Sequence, residues 1–270
     1  MICNICGKDE FVFIRKYSEP DKYERWMGLA KPLCRAWWKC GHCGFHKASR
    51  SYPLELLTGI YADGYRNVGF RGCTVEEAFD KIIALPERES ENAYRVRWFN
   101  GHIMRPMGKR SLLLDVGAGL GVFLWELKQR DNNNFWQPYA VELNIDSVKL
   151  LNNTGIKCWH PEGNPPYPSN MNVVSCIHTL EHVEDPEDFL CEIKDCLVDN
   201  GKLFLEVPDA REFDYLPPDH DEFNSCHCTF FTPETLMWLV QDAGFNVTDL
   251  HMVRTKARDL SRIMLLAEKV

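Results

Sequence analysis

Residues 112–130 read LLLDVGAGLGVFLWELKQR: an apolar run, glycines at 117, 119 and 121, then apolar residues at helical spacing. A strand that runs straight into a glycine turn and a helix lets a ligand approach the backbone at the strand's carboxyl end. The spacing is G-x-G-x-G and not the G-x-G-x-x-G of dinucleotide sites, and a lone glycine signature is weak. Asp115 ends the strand where a pyrophosphate would meet negative charge, which favours a cationic or zwitterionic ligand. Glu142, at the end of the next apolar run PYAVEL, is placed to accept hydrogen bonds from two ribose hydroxyls.

The alternation continues downstream. NVVSCIH and GKLFLEVP read as buried strands, and IDSVKLLNNTG, PEDFLCEIKDCL and TPETLMWLVQDAG as helices. FNVTDLHMV and SRIMLLAEK read as a terminal hairpin. Such a rhythm predicts an α/β fold whose parallel sheet is covered on both faces and binds ligands at its carboxyl edge.

Upstream, Cys3 and Cys6 form one C-x-x-C and Cys40 and Cys43 another, each followed by glycine. Two such knuckles supply the four thiolates of a closed, structural zinc site, which leaves no open position for chemistry. Residues 1–50 are therefore expected to be a zinc-ribbon module. Residues 51–108 carry helical periodicity, with a Thr74–Glu77 capping box, a break at Pro86 and a helix over 92–104. They predict a helical connector placed to fold over the mouth of a domain spanning 109–270.

Composition bounds the function. The chain has 270 residues, 45% hydrophobic and 26% charged, with a net charge of -8. That balance argues against a general nucleic-acid surface. No apolar run reaches a membrane span, and MICNICGKDEF lacks the form of a signal peptide. A cytoplasmic protein with no membrane role is expected, its twelve cysteines acting as thiols and metal ligands.

LLLDVGAGLG, YAVEL, SCIHTLEHVEDPEDFL, GKLFLEVPD and HCTFFTPETLMWLVQDAGF occur in the order found in class I S-adenosylmethionine-dependent methyltransferases, which residues 109–270 resemble. The resemblance implies a Rossmann-like seven-stranded sheet with an antiparallel last strand. It implies that the cofactor rests on Asp115, Gly117, Ala118, Gly119 and Gly121, with its ribose on Glu142 and Leu143. The adenine would lie near Glu162, Gly163, Asn164 and Ile177. With the cysteine knuckles, the chain resembles a zinc-ribbon subset that includes sugar methyltransferases of glycan and antibiotic pathways. Asn172 departs from the family pattern, where many relatives carry Asp.

Methyl transfer to a hydroxyl needs an aligned acceptor and a proton acceptor, and histidine suits the second role. Two clusters offer candidates: His178 and His182 in IHTLEHVEDP, and His227 in PPDHDEFNSCHCTFF beside Asp219 and Asp221. Read as H-x-x-E-H, the first matches an inverted zinc-protease motif, but it follows a strand and runs into Asp185–Pro186 instead of a long helix. A resemblance to ubiquinone-pathway O-methyltransferases implies that acids and a histidine at these positions hold a divalent cation, a pattern from which His178, in place of Glu, departs; the alternative role of Glu181 and His182 is to brace the turn. His227 is the expected base; its alternative is to pack under its loop with Cys226 and Cys228, as core or as a second metal site. The expected function is O-methylation of a small polar acceptor such as a sugar, nucleotide-sugar or glycan precursor. The alternative is modification of a nucleic acid or protein docked by the ribbon, whose segment CRAWWKCGHCGFHKASR is locally basic and aromatic. Oligomeric state is left open.

Overall fold

In the computed structural model, the run that follows Arg110 is an interior strand of a seven-stranded sheet, β4 (Ser111–Val116). The structure describes residues 2–32, 35–49, 59–61, 73–103, 110–161, 168–254 and 260–270. On one side of β4 lie β5 (Trp136–Val141) and β6 (Lys157–Trp159); on the other lie β7 (Met171–Ile177) and β8 (Leu197–Pro208). These five pair in parallel. The terminal hairpin, β10 (Phe245–Arg254) and β11 (Ser261–Lys269), completes the order β6-β5-β4-β7-β8-β11-β10, with β11 antiparallel to both neighbours. Asn172 is a strand connector: its Oδ1 accepts from the Leu112 N–H at 2.9 Å.

Successive residues of a strand face opposite ways, so a sheet buried on both faces needs continuous apolar runs. Leu114, Val174 and Leu205 pack on one face beneath α6 (Pro186–Cys196) and α7 (Pro233–Asp242). Their neighbours Leu113, Val173 and Phe204 pack on the other beneath α4 (Val122–Gln129) and α5 (Ile145–Asn153). That second face is also covered by the connector. Its helix α3 (Glu91–His102) buries Val96 and Phe99 completely in the same core. Before it, α2 (Val75–Ile83) packs Phe79 edge-on against Trp125, and its Thr74–Glu77 capping box forms as expected. Most of the expected helical stretch over 51–72 lies outside the described residues.

The N-terminal segment contributes β1 (Phe11–Lys16), β2 (Ala36–Cys40) and β3 (His46–Ser49), with a short α1 (Lys22–Trp26) between the first two strands. The ribbon is continued by β9 (Thr229–Phe230), which pairs with β3 through His46↔Phe230 and Lys47↔Thr229. Trp37 stacks on Phe230 at 4.7 Å between centroids, and Phe213 and Phe223 close the same apolar cluster. The segment bearing His227 is thus held by the N-terminal sheet. Among the described residues, no helix is long and apolar enough to cross a membrane.

Candidate active site and metal centre

At the carboxyl end of β4 the chain turns through Gly117, Gly119 and Gly121, whose φ angles are +74°, +60° and +72°. A side chain is costly in this left-handed region. Protein neighbours also exclude one. A Cβ at Gly117 would lie 2.4 Å from Thr179 Oγ1, and one at Gly121 would lie 2.0 Å from Leu151 Cδ2. The close approach that makes glycine necessary at 117 and 121 is therefore made, at least in part, by the chain's own Thr179 and Leu151.

Glu142 sits beside the turn with Oε2 accepting from the Gly119 N–H at 2.7 Å and Oε1 from the Asn144 N–H at 2.9 Å. Each carboxylate oxygen has a further lone pair, so a held Glu142 can still receive hydroxyl donors. It faces a cavity of about 330 Å³ lined by Gly117, Glu142, Leu143, His178, Thr179 and His182, with Tyr61, Val183 and Phe189 among its apolar walls. Fixed carboxylate, open turn and mixed lining together fit an adenosyl cofactor.

Several expected contacts fall elsewhere. Asp115 does not line the cavity; it is 2% exposed beneath the turn and accepts from Ser175 Oγ at 2.7 Å. Burial pushes its carboxyl up to about 7, a shift that the Ser175 hydrogen bond and Arg95 oppose. Ala118 and Ile177 pack against the core of the α4–α5 face, and Gly119 and Gly121 shape the turn behind the wall. Glu162, Gly163 and Asn164 lie outside the described residues.

The three candidate histidines differ sharply. His178, with φ +53°, is clamped by two carboxylates: Nδ1 donates to Glu181 at 3.3 Å and Nε2 to Glu206 at 3.1 Å. Burial would lower its pKa, but the two carboxylates outweigh that and raise it. With both nitrogens engaged, His178 is not placed to act as a base, which corrects its sequence assignment. Glu206 is gripped from the far side by Arg95 of α3, Nε to Oε2 at 2.5 Å and Nη2 to Oε1 at 2.6 Å. This buried chain, Arg95–Glu206–His178–Glu181, ties the connector to the cavity.

His182 is held neutral: burial, reinforced by neighbouring His227, pushes its pKa down to about 3. Its Nδ1 lies 3.2 Å from the Cys226 carbonyl and 3.3 Å from Tyr61 Oη, and Tyr61 also donates to that carbonyl. His227 is 7% exposed and its ring centroid lies 4.7 Å from that of His182. Its Nδ1–H donates to the Glu222 carbonyl at 2.6 Å, which leaves Nε2 as the basic nitrogen. The acids expected to serve it are elsewhere: Asp221 pairs with Lys22 at 2.7 Å, and Asp219 lines a separate groove.

At the other end of the ribbon, the four cysteine sulfurs converge. Cys3 and Cys43 Sγ are 3.6 Å apart, as are Cys6 and Cys40, and all four lie within 4.8 Å of one another. A tetrahedron of Zn–S bonds of about 2.3 Å has edges of about 3.8 Å, so the donor set fits zinc. Cys3 and Cys40 are buried, and no ligand position is left over.

Sequence reasoning missed Arg95, Glu206, Tyr61 and Thr179. A lone carboxylate inside the apolar run GKLFLEVP was the available signal for Glu206.

Residues 104–250 match the family model described as a methyltransferase domain. The tRNA U34 carboxymethyltransferase of Stutzerimonas stutzeri (strain A1501) is 29% identical over 157 residues, 51% of this chain, and the chain spans 45% of that relative's length. The structure of Burkholderia thailandensis 1,6-didemethyltoxoflavin-N1-methyltransferase, with 1,6-didemethyltoxoflavin and S-adenosylhomocysteine bound, superposes with a TM-score of 0.58 at 16% identity, over 87% of this chain and 96% of that one. A SAM-dependent methyltransferase from Methanosarcina mazei gives a TM-score of 0.51 at 14% identity, over 64% and 97%. At these identities the solved structures show a shared fold.

Proposed function

From the premise that this chain belongs to the methyltransferase-domain family and carries its S-adenosylmethionine-dependent class I fold, we propose that it transfers the sulfonium methyl to an oxygen of a small polar acceptor, such as a sugar, nucleotide-sugar or glycan precursor. The observation that carries this reading is the meeting of Glu142, the glycine turn and His182 on one cavity, with His227 directly behind. Bound there, the cofactor supplies the activated methyl. The protein's own groups do the rest. Glu142 holds the ribose, the glycine turn admits the amino-acid part, and Tyr61, Val183 and Phe189 exclude water. His227, with its ring against that of His182, would take the acceptor proton as general base.

We further propose that Cys3, Cys6, Cys40 and Cys43 hold one structural zinc, which fixes the ribbon and through β9 the segment carrying His227. A methyl-transfer screen over nucleotide sugars and small hydroxylated metabolites tests the acceptor class. His227→Ala should lower turnover by about 10²–10⁴-fold with cofactor affinity nearly unchanged. Undiminished turnover would remove His227 from the mechanism.

A second reading has one observation in its favour: the Stutzerimonas stutzeri relative is named for a tRNA nucleotide. In that reading the ribbon docks RNA. Salt-dependent RNA binding, with methyl transfer to RNA and none to small acceptors, would establish it.

A further inference from the structure

A second cavity, of about 430 Å³, opens between the loop that joins β1 to α1 and residues 218–224, the stretch just before His227. It shares no lining residue with the cofactor cavity. Two guanidinia in its wall are held against aromatic rings. Arg15 Cζ lies 4.2 Å from the ring centroid of Phe223, and Arg35 Cζ lies 4.0 Å from that of Tyr17. Tyr17 is fixed in turn, its hydroxyl donating to the Pro218 carbonyl at 3.0 Å. Stacking sets the plane of a guanidinium and leaves its N–H edge for hydrogen bonds.

The charges around this groove are not equally committed. Lys22 pairs with Asp221 at 2.7 Å, and Arg25 donates to the Pro20 carbonyl. Arg35 lies 3.3 Å from Asp21 and 3.5 Å from Glu24, while Asp21 also accepts from the backbone N–H groups of Tyr23 and Glu24. Arg15 has no carboxylate partner among the described residues. Its Nη1, like Arg35 Nε, is buried without an acceptor among them. A buried donor on a charged group costs free energy until an acceptor meets it. The charges left over, Lys16, Glu19 and Asp219, are all exposed on the same groove.

This arrangement selects a ligand chemistry. The fork of Arg15 matches the oxygens of a phosphate, and Lys16 adds a second positive charge. Glu19 and Asp219 would repel a bare anion, and a polyanion such as RNA still more. They can instead accept hydrogen bonds from hydroxyls. The volume is that of a small-molecule site. We propose that the groove binds a phosphorylated sugar or similar polyol phosphate, its phosphate on Arg15 and Lys16 and its hydroxyls on Glu19 and Asp219. A ligand there lies against Asn224, whose carbonyl accepts from the His227 N–H at 3.4 Å, and Asp21 of the same wall accepts from Ser225 Oγ at 3.2 Å. Occupation therefore braces the segment that carries His227. That bearing on the base rests on the methyl-transfer reading; the site itself does not.

The test is calorimetry on the full chain, with S-adenosylhomocysteine present to fill the cofactor cavity, and with glucose 1-phosphate, inorganic phosphate and glucose as probes. One glucose 1-phosphate should bind per chain, at least about tenfold more tightly than either inorganic phosphate or glucose. Arg15→Gln should weaken it by about tenfold or more, and Asp219→Asn by about threefold or more without weakening inorganic phosphate. Unfolding midpoints show that each variant is folded; should Arg15→Gln not fold, the exposed Lys16→Gln takes its place and should weaken both phosphates. Absence of binding, binding indifferent to Arg15 and Lys16, or an RNA oligonucleotide bound through Arg15 where glucose 1-phosphate is not, would overturn the proposal. Glucose 1-phosphate bound as described by a protein that fails to bind S-adenosylhomocysteine would retain the groove and remove the methyl-transfer reading.

Discussion

Replacing Arg95 by Met removes the guanidinium that grips Glu206 while keeping most of the side chain's volume. Both partners are buried, with side-chain exposures of 9% and 4%, and the pair is bidentate at 2.5 and 2.6 Å. Removing one member of such a pair strands the other charge and typically costs about 3–5 kcal/mol. His178 still faces Glu206 at 3.1 Å, which places the expected loss for Arg95→Met near the lower end, about 3 kcal/mol. Denaturant unfolding at neutral pH measures it. The pH dependence has a definite sign. In the wild type, burial opposes ionisation of Glu206, but Arg95 and His178 hold its pKa well below the ordinary 4.5, so its stabilisation is present above that value and lost as pH falls. In Arg95→Met the stranded carboxyl shifts upward, so the gap between variant and wild type should narrow as pH falls through the carboxylate range. Arg95→Met/Glu206→Gln should be more stable than Arg95→Met alone, because the stranded charge is gone. A single variant within about 1 kcal/mol of wild type, or a double variant no better than the single, would refute the account of this buried chain.

Cys40→Ser should lose the bound zinc and destabilise the ribbon, because metal binding there is folding free energy; metal analysis and unfolding check it, and a metal-free but fully folded wild type would contradict it. Gly121→Ala should cost about 1–2 kcal/mol from its left-handed backbone and about 1–3 more from displacing Leu151; an unchanged unfolding midpoint would count against that close approach. His46 is 2% exposed, and burial holds its pKa down to about 4 from 6.5. Its contribution is present above 6.5 and lost as pH falls toward 4, by about 3 kcal/mol, and His46→Phe should flatten that slope.

The sheet was legible because short apolar runs such as LLLDV and NVVSCI, alternating with helical stretches and turns, fit strands covered on both faces, and the structure alternates their residues between two cores. The paired cysteine knuckles were equally plain: local spacing alone brings each pair of sulfurs together. What the sequence hid is long-range. Nothing local in HCTFF shows that Thr229 and Phe230 extend the N-terminal sheet, because a two-residue strand has no periodicity to read. Arg95 and Glu206 are 111 positions apart, and nothing local shows that the two pair until the fold brings them together. The same blindness assigned His178 to catalysis: its position after β7 was readable, while the two carboxylates occupying its nitrogens were not. Nor did it show that the turn's glycines, read as serving a tight turn and a close ligand approach, are also crowded by Thr179 and Leu151.

The central claim is that the glycine turn and Glu142 bind S-adenosylmethionine. Calorimetric titration of the full chain with S-adenosylhomocysteine tests it most directly. One molecule should bind per chain with a Kd in the micromolar range or tighter, about -8 kcal/mol. Glu142→Ala should weaken binding by about 1.5–3 kcal/mol through loss of charge-assisted hydrogen bonds. No binding, binding indifferent to Glu142, or tighter binding of NAD than of the sulfonium cofactor would contradict the account.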